Sequence, residues 1–324
     1  MSVLVTGGAG YIGSHMVKRL LERGRRVLVI DDLSTGHRDA VGSAPFVECD
    51  IGDAERVAPL LAQHGVDSVM HFAASCLVAE SVADPARYYA NNVARTLGLL
   101  RAMRSAGVAR LVQSSTCAVY GAPSALPLDE SHPTEPVNHY GASKLMVERI
   151  LDDLHAAEGL RSVSLRYFNA AGADPGGGLG ERHDPETHLI PLALQAASGR
   201  RPALSVFCTD FPTRDGTCER DYVHVADLCD AHLLALEWLE AGGGREKLNL
   251  GTGAGATVLE IIEAVKRESG AALRVERAAR RAGDPAALVA SAARAGRVLG
   301  WKPKCSDLAT IIRHAWRWEQ RCAS

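Results

Sequence analysis

Short runs of β-branched and apolar residues recur along the first half of the chain, and longer segments with helical periodicity separate most of them. Runs of this length indicate buried strands, and their alternation with helices indicates βαβ units in a mostly parallel sheet. The predicted strands are Val3–Thr6, Val27–Asp31, Phe46–Cys49, Ser68–Phe72, Ala109–Ser115 and Ser162–Phe168. The pattern therefore predicts an α/β fold of the doubly wound, Rossmann type.

The second half of the chain has a different pattern. After about residue 170 the alternation fades, and proline, glycine and charged residues become frequent. This change predicts a smaller C-terminal α/β lobe, so that residues 1–170 form a first domain and residues 171–324 a second. The boundary is soft, because the stretch at 248–253 has the pattern of one more strand, and residues 220–253 could return to the first domain.

Composition narrows the class of protein. The chain has 324 residues, of which 47% are hydrophobic and 23% charged, and this excludes disordered, collagen-like and coiled-coil proteins. A net charge of −2 offers no basic surface for nucleic acid or an anionic membrane. The eight cysteines are scattered, without a C-x-x-C pair or a zinc-like histidine spacing, so we expect reduced thiols and no metal. Without a leader or a long apolar run, we expect a cytoplasmic protein.

A glycine-rich turn follows the first predicted strand. In VTGGAGYIG the glycines fall at Gly7, Gly10 and Gly13, before the amphipathic run Ile12–Arg23, and the next strand ends at Asp31, 18 residues beyond Gly13. In a dinucleotide fold, such glycines let the backbone approach a pyrophosphate at a helix N-terminus, and the acid binds a ribose hydroxyl. Asp31 and the adjacent Asp32 would repel a 2′-phosphate, which favours NAD over NADP. A strand-turn-helix without a ligand is the alternative.

A tyrosine and a lysine are spaced four residues apart in HYGASK. On a helix, Tyr140 and Lys144 would share one face. A nearby ammonium and a positively charged nicotinamide would lower the pKa of the phenol, which is otherwise about 10, so that it could exchange a proton with a hydroxyl. The upstream strand end offers the hydroxyls of Ser115 and Thr116, where a substrate could lie. An exposed tyrosine and lysine without such a role remain the alternative.

Longer segments resemble a known family over essentially the whole chain. The glycine turn, the Ser/Thr cluster ending in VYG and Y-x-x-x-K are similar to the extended short-chain dehydrogenase/reductases, and within them to the UDP-glucose (UDP-galactose) 4-epimerases. The segments that carry this resemblance are VTGGAGYIGSH, HFAA, ESVADPARYYANNV, HYGASKLMVE, LRYFNAAGA, ETHLIPLALQ, DFPTRDGTCERDYVHVADL and RRAGDP.

The resemblance implies a reversible inversion at C4 of the hexose of a UDP-sugar. Tyr140 would remove the proton of the 4-hydroxyl while C4 gives hydride to tightly held NAD, and Thr116 would bind the same oxygen. The 4-keto sugar would then turn over and receive the hydride on its other face. The family also implies a homodimer that pairs through helices of the first lobe.

The resemblance further assigns binding residues by position. The cofactor contacts that it implies, with those from the glycine turn, are Gly7, Gly10, Tyr11, Ile12, Gly13, Asp31, Asp32, Asp50, Ile51, Phe72, Ala73, Ala74, Asn91, Ser114, Tyr140, Lys144 and Tyr167. The substrate contacts that it implies are Thr116, Tyr140, Asn169, His188, Leu189, Phe207, Arg220, Arg281, Asp284 and Leu288. Each of these residues, taken by itself, has a simpler interpretation: Arg220 could form a surface ion pair, and His188 could be an ordinary loop histidine.

Three positions bear on how the chain would differ within the family. Some members carry lysine where this chain has Cys76, so a cation near the cofactor is missing, and Glu219 lies beside the phosphate-binding Arg220. Leu288 lies near the position where a bulky tyrosine goes with enzymes restricted to plain hexoses and a small residue with those that accept N-acetylhexosamines. A leucine of intermediate size leads us to expect a preference for UDP-galactose and UDP-glucose.

Other functions share this fold. A sugar-nucleotide 4,6-dehydratase or a UDP-glucuronate decarboxylase would need an acid beside Thr116, where Cys117 and Ala118 follow. A simple dehydrogenase would release its cofactor, and a redox-sensing NAD-binding protein would need no catalytic residues. The sequence leaves open whether the sugar is UDP-glucose/galactose, an N-acetylhexosamine, a pentose such as xylose or arabinose, or a uronate.

Overall fold

The computed structural model describes residues 1–207, 209–279 and 285–323. Its strands are β1 (Ser2–Thr6), β2 (Arg26–Asp31), β3 (Phe46–Glu48), β4 (Ser68–His71), β5 (Arg110–Thr116), β6 (Arg161–Tyr167), β7 (Asn169–Ala171), β8 (Leu204–Phe207), β9 (Glu219–His224), β10 (Arg245–Leu250), β11 (Gly255–Thr257), β12 (Val275–Ala278) and β13 (Ala287–Leu288). Its helices are α1 (Tyr11–Glu22), α2 (Ala54–Gln63), α3 (Val78–Ala83), α4 (Pro85–Tyr89), α5 (Arg95–Ser105), α6 (His139–Glu158), α7 (Leu189–Ala197), α8 (Val225–Glu240), α9 (Val258–Ser269), α10 (Ala293–Leu299) and α11 (Leu308–Ala323).

Seven parallel strands form a large sheet in the order β10-β6-β5-β4-β1-β2-β3. The predicted α/β, Rossmann-type fold is confirmed, and each of the six strands predicted before residue 170 agrees with the structure to within one residue at each end. The strand predicted at 248–253 lies at 245–250, where β10 adds to the edge of the large sheet beside β6. The division into domains at residue 170 stays a prediction.

Helices cover both faces of the large sheet. Residues of α1 and α8 pack with one face, and residues of α2, α5 and α6 pack with the other, so the central strands are buried on both sides. Along the chain, β2 and β3 extend the sheet from one side of β1, whereas β4, β5 and β6 extend it from the other. The order therefore reverses between β1 and β4, and in open α/β sheets ligands bind in the crevice beyond the carboxyl ends of such strands.

The remaining strands form small sheets beyond this edge. Strand β9 pairs with β11, β13 and β7, while β8 pairs with β12. A separate apolar core, formed mainly by α7, α9 and α11, supports them. None of the helices in the described residues is long and apolar enough to cross a membrane.

Candidate active site

The glycine turn packs the β1 strand end tightly against the start of α1. Gly7 has a φ of +69°, which favours glycine, and a Cβ there would lie 2.5 Å from the backbone nitrogen of Ala73. A Cβ on Gly13 would lie 2.0 Å from the carbonyl oxygen of Gly7. Gly10 begins the helix without a side-chain cap, so the first N–H groups of α1, at Tyr11 and Ile12, meet no capping side chain.

The acid at the end of β2 is fixed beside this turn. The Asp31 carboxylate accepts hydrogen bonds from the backbone nitrogens of Ala9 at 2.9 Å and Leu33 at 2.8 Å. Burial raises the pKa of Asp31, although these two hydrogen bonds oppose the rise. The neighbouring Asp32 forms an ion pair with Arg95 at 3.0 Å. The carboxylate of Asp31 thus lies where the sequence placed the ribose-binding acid.

The other residues predicted to contact a cofactor lie around the same edge. Asp50 forms an ion pair with Arg95 at 3.0 Å, and Asn91 donates to the Ser75 hydroxyl at 3.1 Å. The remaining ones follow the strand ends or a helix: Ile51 after β3, Phe72, Ala73 and Ala74 after β4, Ser114 on β5, Lys144 on α6, and Tyr167 at the end of β6, where its hydroxyl hydrogen-bonds Ser114.

Tyr140 and Lys144 lie on one face at the start of α6, as their spacing predicted. The Lys144 ammonium is buried and donates to the backbone oxygen of Ser114 at 2.9 Å. Burial lowers the pKa of Lys144 to about 8. The Thr116 hydroxyl lies near enough to the Tyr140 phenol to lower its pKa. The structure therefore brings all three predicted catalytic side chains to the carboxyl end of β5.

The pKa of Tyr140 in the chain by itself departs from the expectation. Burial raises it well above the usual value of a phenol, and the nearby Thr116 hydroxyl only partly offsets this effect. The sequence analysis expected a lowering by Lys144 and a cationic nicotinamide, and did not account for the desolvation of the phenol. Burial opposes the phenolate because it removes water from the charged form.

A buried polar network that sequence reasoning missed holds β5, β6 and α6 together. Glu148, one turn beyond Lys144, accepts from Ser115 at 2.6 Å and from the Arg166 guanidinium at 2.9 Å. Arg166 also donates to the hydroxyl of Tyr120 at 2.9 Å. The side chains of Arg166 and Glu148 are 4% and 0% exposed. The available sequence signal was two charged residues at otherwise buried positions of a strand and a helix.

On the opposite side of the crevice, β9 brings together predicted substrate residues from three strands. Asn169 on β7 pairs with Tyr222 of β9, and Leu288 on β13 pairs with Arg220. Leu288 packs against an apolar cluster that includes Cys117, the neighbour of Thr116. This side of the crevice therefore lies close to the catalytic strand end.

The carboxylate beside Arg220, at Glu219, is compensated. The Glu219 side chain forms an ion pair with Arg214 at 2.7 Å, whereas Arg220 donates to the backbone oxygens of Glu219 at 2.9 Å and Pro285 at 3.0 Å. Cys76, in place of lysine, is exposed. Arg214 therefore offsets the negative charge that Glu219 places beside Arg220.

The other predicted substrate residues lie outside β7, β9 and β13. His188 immediately precedes α7, Leu189 is its first residue, and Phe207 ends β8. Arg281 and Asp284 lie outside the described residues.

The connection from β7 to α7 carries a cluster that the sequence analysis also missed. Ligand atoms of Glu181, His183, Glu186 and His188 all lie within 4.8 Å of one another. Burial lowers the pKa of His183, but the nearby carboxylates of Glu181 and Glu186 outweigh this effect and raise the value to about 10. The spacing E-x-H-x-x-E-x-H was the signal that could have found this group.

The fold and site define a dinucleotide-binding α/β protein with a buried tyrosine–lysine pair, and comparison with known proteins gives the family. Residues 3–251 match the model of the NAD dependent epimerase/dehydratase family, to which the chain belongs. The chain is 53% identical over 319 residues to "UDP-glucose 4-epimerase" of Azospirillum brasilense, covering 98% of this chain and 92% of that relative. The resemblance stated from the sequence is confirmed.

Solved structures agree with this assignment. UDP-glucose 4-epimerase from Brucella ovis in complex with NAD is 51% identical, with a TM-score of 0.95 and coverage of 97% of both chains. UDP-glucose-4-epimerase from Stenotrophomonas maltophila, with bound NAD and formylated UDP-arabinopyranose, is 41% identical, with a TM-score of 0.96 over 100% of this chain and 99% of that one.

Proposed function

We propose that this chain catalyses the reversible inversion at C4 of a UDP-hexose, interconverting UDP-glucose and UDP-galactose with NAD retained through each turnover. The observation that carries the proposal is the convergence of Tyr140, Lys144 and Thr116 at the carboxyl end of β5. The chain also belongs to a family of NAD-dependent enzymes. The domain division is part of the proposal, with residues 1–170 binding the dinucleotide and residues 171–324 the UDP-sugar.

The first part of the site fits a dinucleotide. Gly7 and Gly13 leave no room for a side chain, whereas a Cβ on Gly10 would meet only the Gly7 carbonyl oxygen, at 3.4 Å, among the described atoms within 4 Å. The turn is therefore closed towards the sheet and open outwards at the N-terminus of α1, where an anion is favoured. The carboxylate of Asp31 would bind the ribose and exclude a 2′-phosphate.

The proton steps follow from the buried trio. Tyr140 would remove the proton of the 4-hydroxyl and return it after the sugar has turned over, while Thr116 orients the same oxygen. Oxidised NAD supplies two things when bound, a hydride acceptor for C4 and a positive charge that favours the phenolate. Lys144, held by Ser114, adds a second positive charge on the face of α6 that carries Tyr140.

The 4-keto sugar must rotate between the two hydride transfers, so the site must bind the nucleotide firmly and the hexose loosely. We assign Asn169, Arg220 and His188 to the UDP side of the substrate, together with Leu189, Phe207, Arg281 and Asp284, and we assign Leu288 to the wall around the hexose. Arg220 is supported by its two backbone hydrogen bonds, which hold its guanidinium on β9.

The experiment that tests the function uses purified protein without added cofactor. UDP-galactose deuterated at C4 should become UDP-glucose that still carries deuterium at C4, even with unlabelled NADH in solution, because the same hydride returns to the sugar. Loss of the label to the NADH pool would instead identify a dehydrogenase that exchanges its cofactor. UDP-N-acetylgalactosamine, UDP-arabinose and UDP-galacturonate tested in parallel identify the preferred sugar.

The proposal includes a homodimer formed through α5 and α6. Both helices pack on the same side of the large sheet, and Leu97 and Met146 remain 41% and 45% exposed on them. Apolar side chains of this exposure suit contact with a second copy. Sedimentation should show a dimer that Leu97→Glu with Met146→Glu dissociates, and a monomeric wild-type protein would contradict this arrangement.

We further propose that the enzyme acts in the cytoplasm, in galactose metabolism. The cysteines in the described part of the chain are free thiols, as is usual in a reducing compartment. Activity should fractionate with cytoplasmic markers, and deletion of the gene should prevent conversion of UDP-galactose to UDP-glucose in extracts. Activity confined to another fraction, or unaltered extracts, would contradict this assignment.

A further inference from the structure

Four side chains converge in the segment between β7 and α7, outside the proposed catalytic trio. The Glu181 Oε1 atom lies 3.1 Å from the Nδ1 atom of His183, and it also contacts Nδ1 of His188. The Glu186 Oε1 atom lies 3.8 Å from Nδ1 of His183 and 3.9 Å from Nδ1 of His188. The four atoms thus surround one point rather than forming two separate pairs.

Three of these four separations lie near the spacing of ligands around one small cation, whereas Glu181 and His188 are in direct hydrogen-bond contact and would have to move apart. Zinc bound to nitrogen and oxygen at 2.0–2.1 Å in a tetrahedron has neighbouring ligand atoms about 3.3 Å apart. The three distances of 3.1, 3.8 and 3.9 Å bracket this value. Small movements of the side chains would therefore complete a four-coordinate site.

The two carboxylates require positive charge in this place. The side chains of Glu181 and Glu186 are each 5% exposed, and a buried carboxylate is costly unless a cation compensates it. Among the described residues, their ion-pair partners are the two imidazoles of the same cluster. Glu186 Oε1 also accepts from the backbone nitrogens of Thr187 at 2.7 Å and His188 at 2.9 Å. The positive charge that compensates the two carboxylates comes from either two imidazolium protons or one divalent ion.

The orientation of His183 favours the ion. Its Nδ1 atom is buried and makes no hydrogen bond of acceptable geometry within the described residues, although a carboxylate oxygen lies 3.1 Å away. A protonated ring held by Glu181 would direct its N–H at that oxygen. A ring that directs a lone pair at a shared centre between four ligands would not.

We propose that Glu181, His183, Glu186 and His188 bind one zinc ion. Two imidazole nitrogens and two carboxylate oxygens suit zinc, and two carboxylates with two neutral histidines balance its charge. Four protein ligands make a closed, structural site. This proposal goes beyond the epimerase function, does not depend on it, and departs from the sequence-based expectation that the chain binds no metal.

Zinc here would fasten the β7–α7 segment to the rest of the chain. The backbone oxygen of Glu181 accepts from the indole of Trp318 at 2.9 Å, and Arg182 forms an ion pair with Asp39 at 2.6 Å. Coordination through Nδ1 would also leave the proton of His188 on its Nε2 atom, since a neutral imidazole has one proton. The segment that leads into α7 would then have one fixed arrangement.

The test measures zinc directly on the untagged, full-length protein. Chelator-treated wild-type protein is incubated with zinc, passed through a desalting column and analysed by mass spectrometry of the metal. We expect about one zinc per chain, and a higher melting temperature than in the chelated sample, because the ion binds the folded state. Wild-type protein that retains no zinc, and whose melting temperature zinc does not change, would overturn the proposal.

Variants locate the ion. We expect His183→Ala and Glu186→Gln to bind zinc at least about 100-fold more weakly, since even loss of a supporting residue costs 10–100-fold. His64→Ala and Glu55→Gln, the same changes made on α2 and its C-terminal end, should bind zinc as the wild type does. Equal zinc in the cluster variants and these controls would place the metal elsewhere and overturn the assignment.

A second measurement uses the wild-type protein, so it tests the proposal even if the variants fail to fold. Cobalt substituted into wild-type protein should give the strong visible absorption of a four-coordinate ion, and added zinc should remove it. Absorption of the weak octahedral type would show a solvent-bound ion instead and would contradict a closed site of four protein ligands.

Discussion

Two regions meet at the crevice and hold their polar side chains in different ways. The helix-α6 region, comprising the ends of β5 and β6 with the first turns of α6, buries its polar groups and supplies each with partners from long elements, as Lys144 and Arg166 illustrate. The small-sheet region, comprising β7, β9, β13 and residues 172–188, uses short strands and a connection, and Arg214, which pairs with Glu219 of β9, is 45% exposed.

This difference in burial predicts that the helix-α6 region determines the reaction rate, whereas the small-sheet region determines substrate selectivity. Buried groups lose water and have few alternative arrangements, so removing one disturbs both reactivity and stability. Half-exposed groups keep water as an alternative partner, and their loss costs less. Substitutions in the helix-α6 region should therefore have large effects, whereas those in the small-sheet region should mainly alter binding and choice of sugar.

The largest effect is expected from Tyr140→Phe. Turnover should fall by about 10² to 10⁴, the usual contribution of general acid–base catalysis, while the fold and bound NAD remain. Steady-state kcat, circular dichroism and NAD released on denaturation measure these quantities. Tyr89→Phe removes the hydroxyl that lies 3.3 Å from His139 Nδ1 and should act as a near wild-type control. Epimerisation by Tyr140→Phe at close to the wild-type rate would remove this residue as the base.

The second effect concerns stability and compares one ion pair from each region. Glu148→Leu leaves the charge of Arg166 buried without its carboxylate, which should lower the free energy of unfolding by about 3–5 kcal/mol. Glu219→Gln removes one of the two carboxylate partners of the exposed Arg214, which keeps its ion pair with Glu260, and should cost about 0–1 kcal/mol. Urea denaturation measures both values.

A double variant separates a lost interaction from a stranded charge. Arg166→Met added to Glu148→Leu removes the unpaired cation, and much of the stability should return because replacing a buried pair by apolar residues is often neutral. Similar losses for Glu148→Leu and Glu219→Gln would contradict the distinction between the regions.

The third effect is a pH dependence of the free energy of unfolding, which arises in the helix-α6 region. Burial lowers the pKa of Lys144 to about 8 from the usual 10.5. Below pH 8 the amine is charged in both the folded and the unfolded state, so folding bears the whole cost of burying the charge. Between about pH 8 and 10.5 the folded state releases the proton first, so stability rises with pH, by no more than about 3 kcal/mol.

Lys144→Met isolates this contribution. The variant lacks the titrating amine, so the wild-type protein should gain free energy of unfolding relative to the variant as pH rises from 7.5 to 10. A difference that stays constant over this range would show that Lys144 is not desolvated.

The sequence predicted the parts of the molecule that depend on local spacing. The strands before residue 170 and the Tyr140–Lys144 pair were found because strand and helix periodicities act over a few residues. The glycine turn was found because the positive φ of Gly7 and the close contact at Gly13 require glycine. All of these lie along the large sheet or its helices.

What the sequence did not predict depends on contacts between distant or irregular segments. Glu148 and Arg166 are 18 residues apart and meet only when α6 packs beside β6. The burial that raises the pKa of Tyr140 in the chain by itself was not predicted for the same reason, since burial follows from packing. The cluster of Glu181 and His183 lies in a connection without periodicity, where a spacing has no fixed geometry until the backbone is known.

The smallest effect is expected in the small-sheet region, at Leu288. Its side chain is partly buried against the cluster beside Thr116, so we expect it to limit the space around the hexose and to favour UDP-galactose over UDP-N-acetylgalactosamine. Leu288→Ser should shift the ratio of their kcat/KM values by about tenfold towards the larger sugar, because relieving a steric clash changes discrimination. Leu259→Ser, at an exposed position of α9, is the control. Equal efficiencies in the wild type, or an unaltered ratio in Leu288→Ser, would assign sugar selection to other residues.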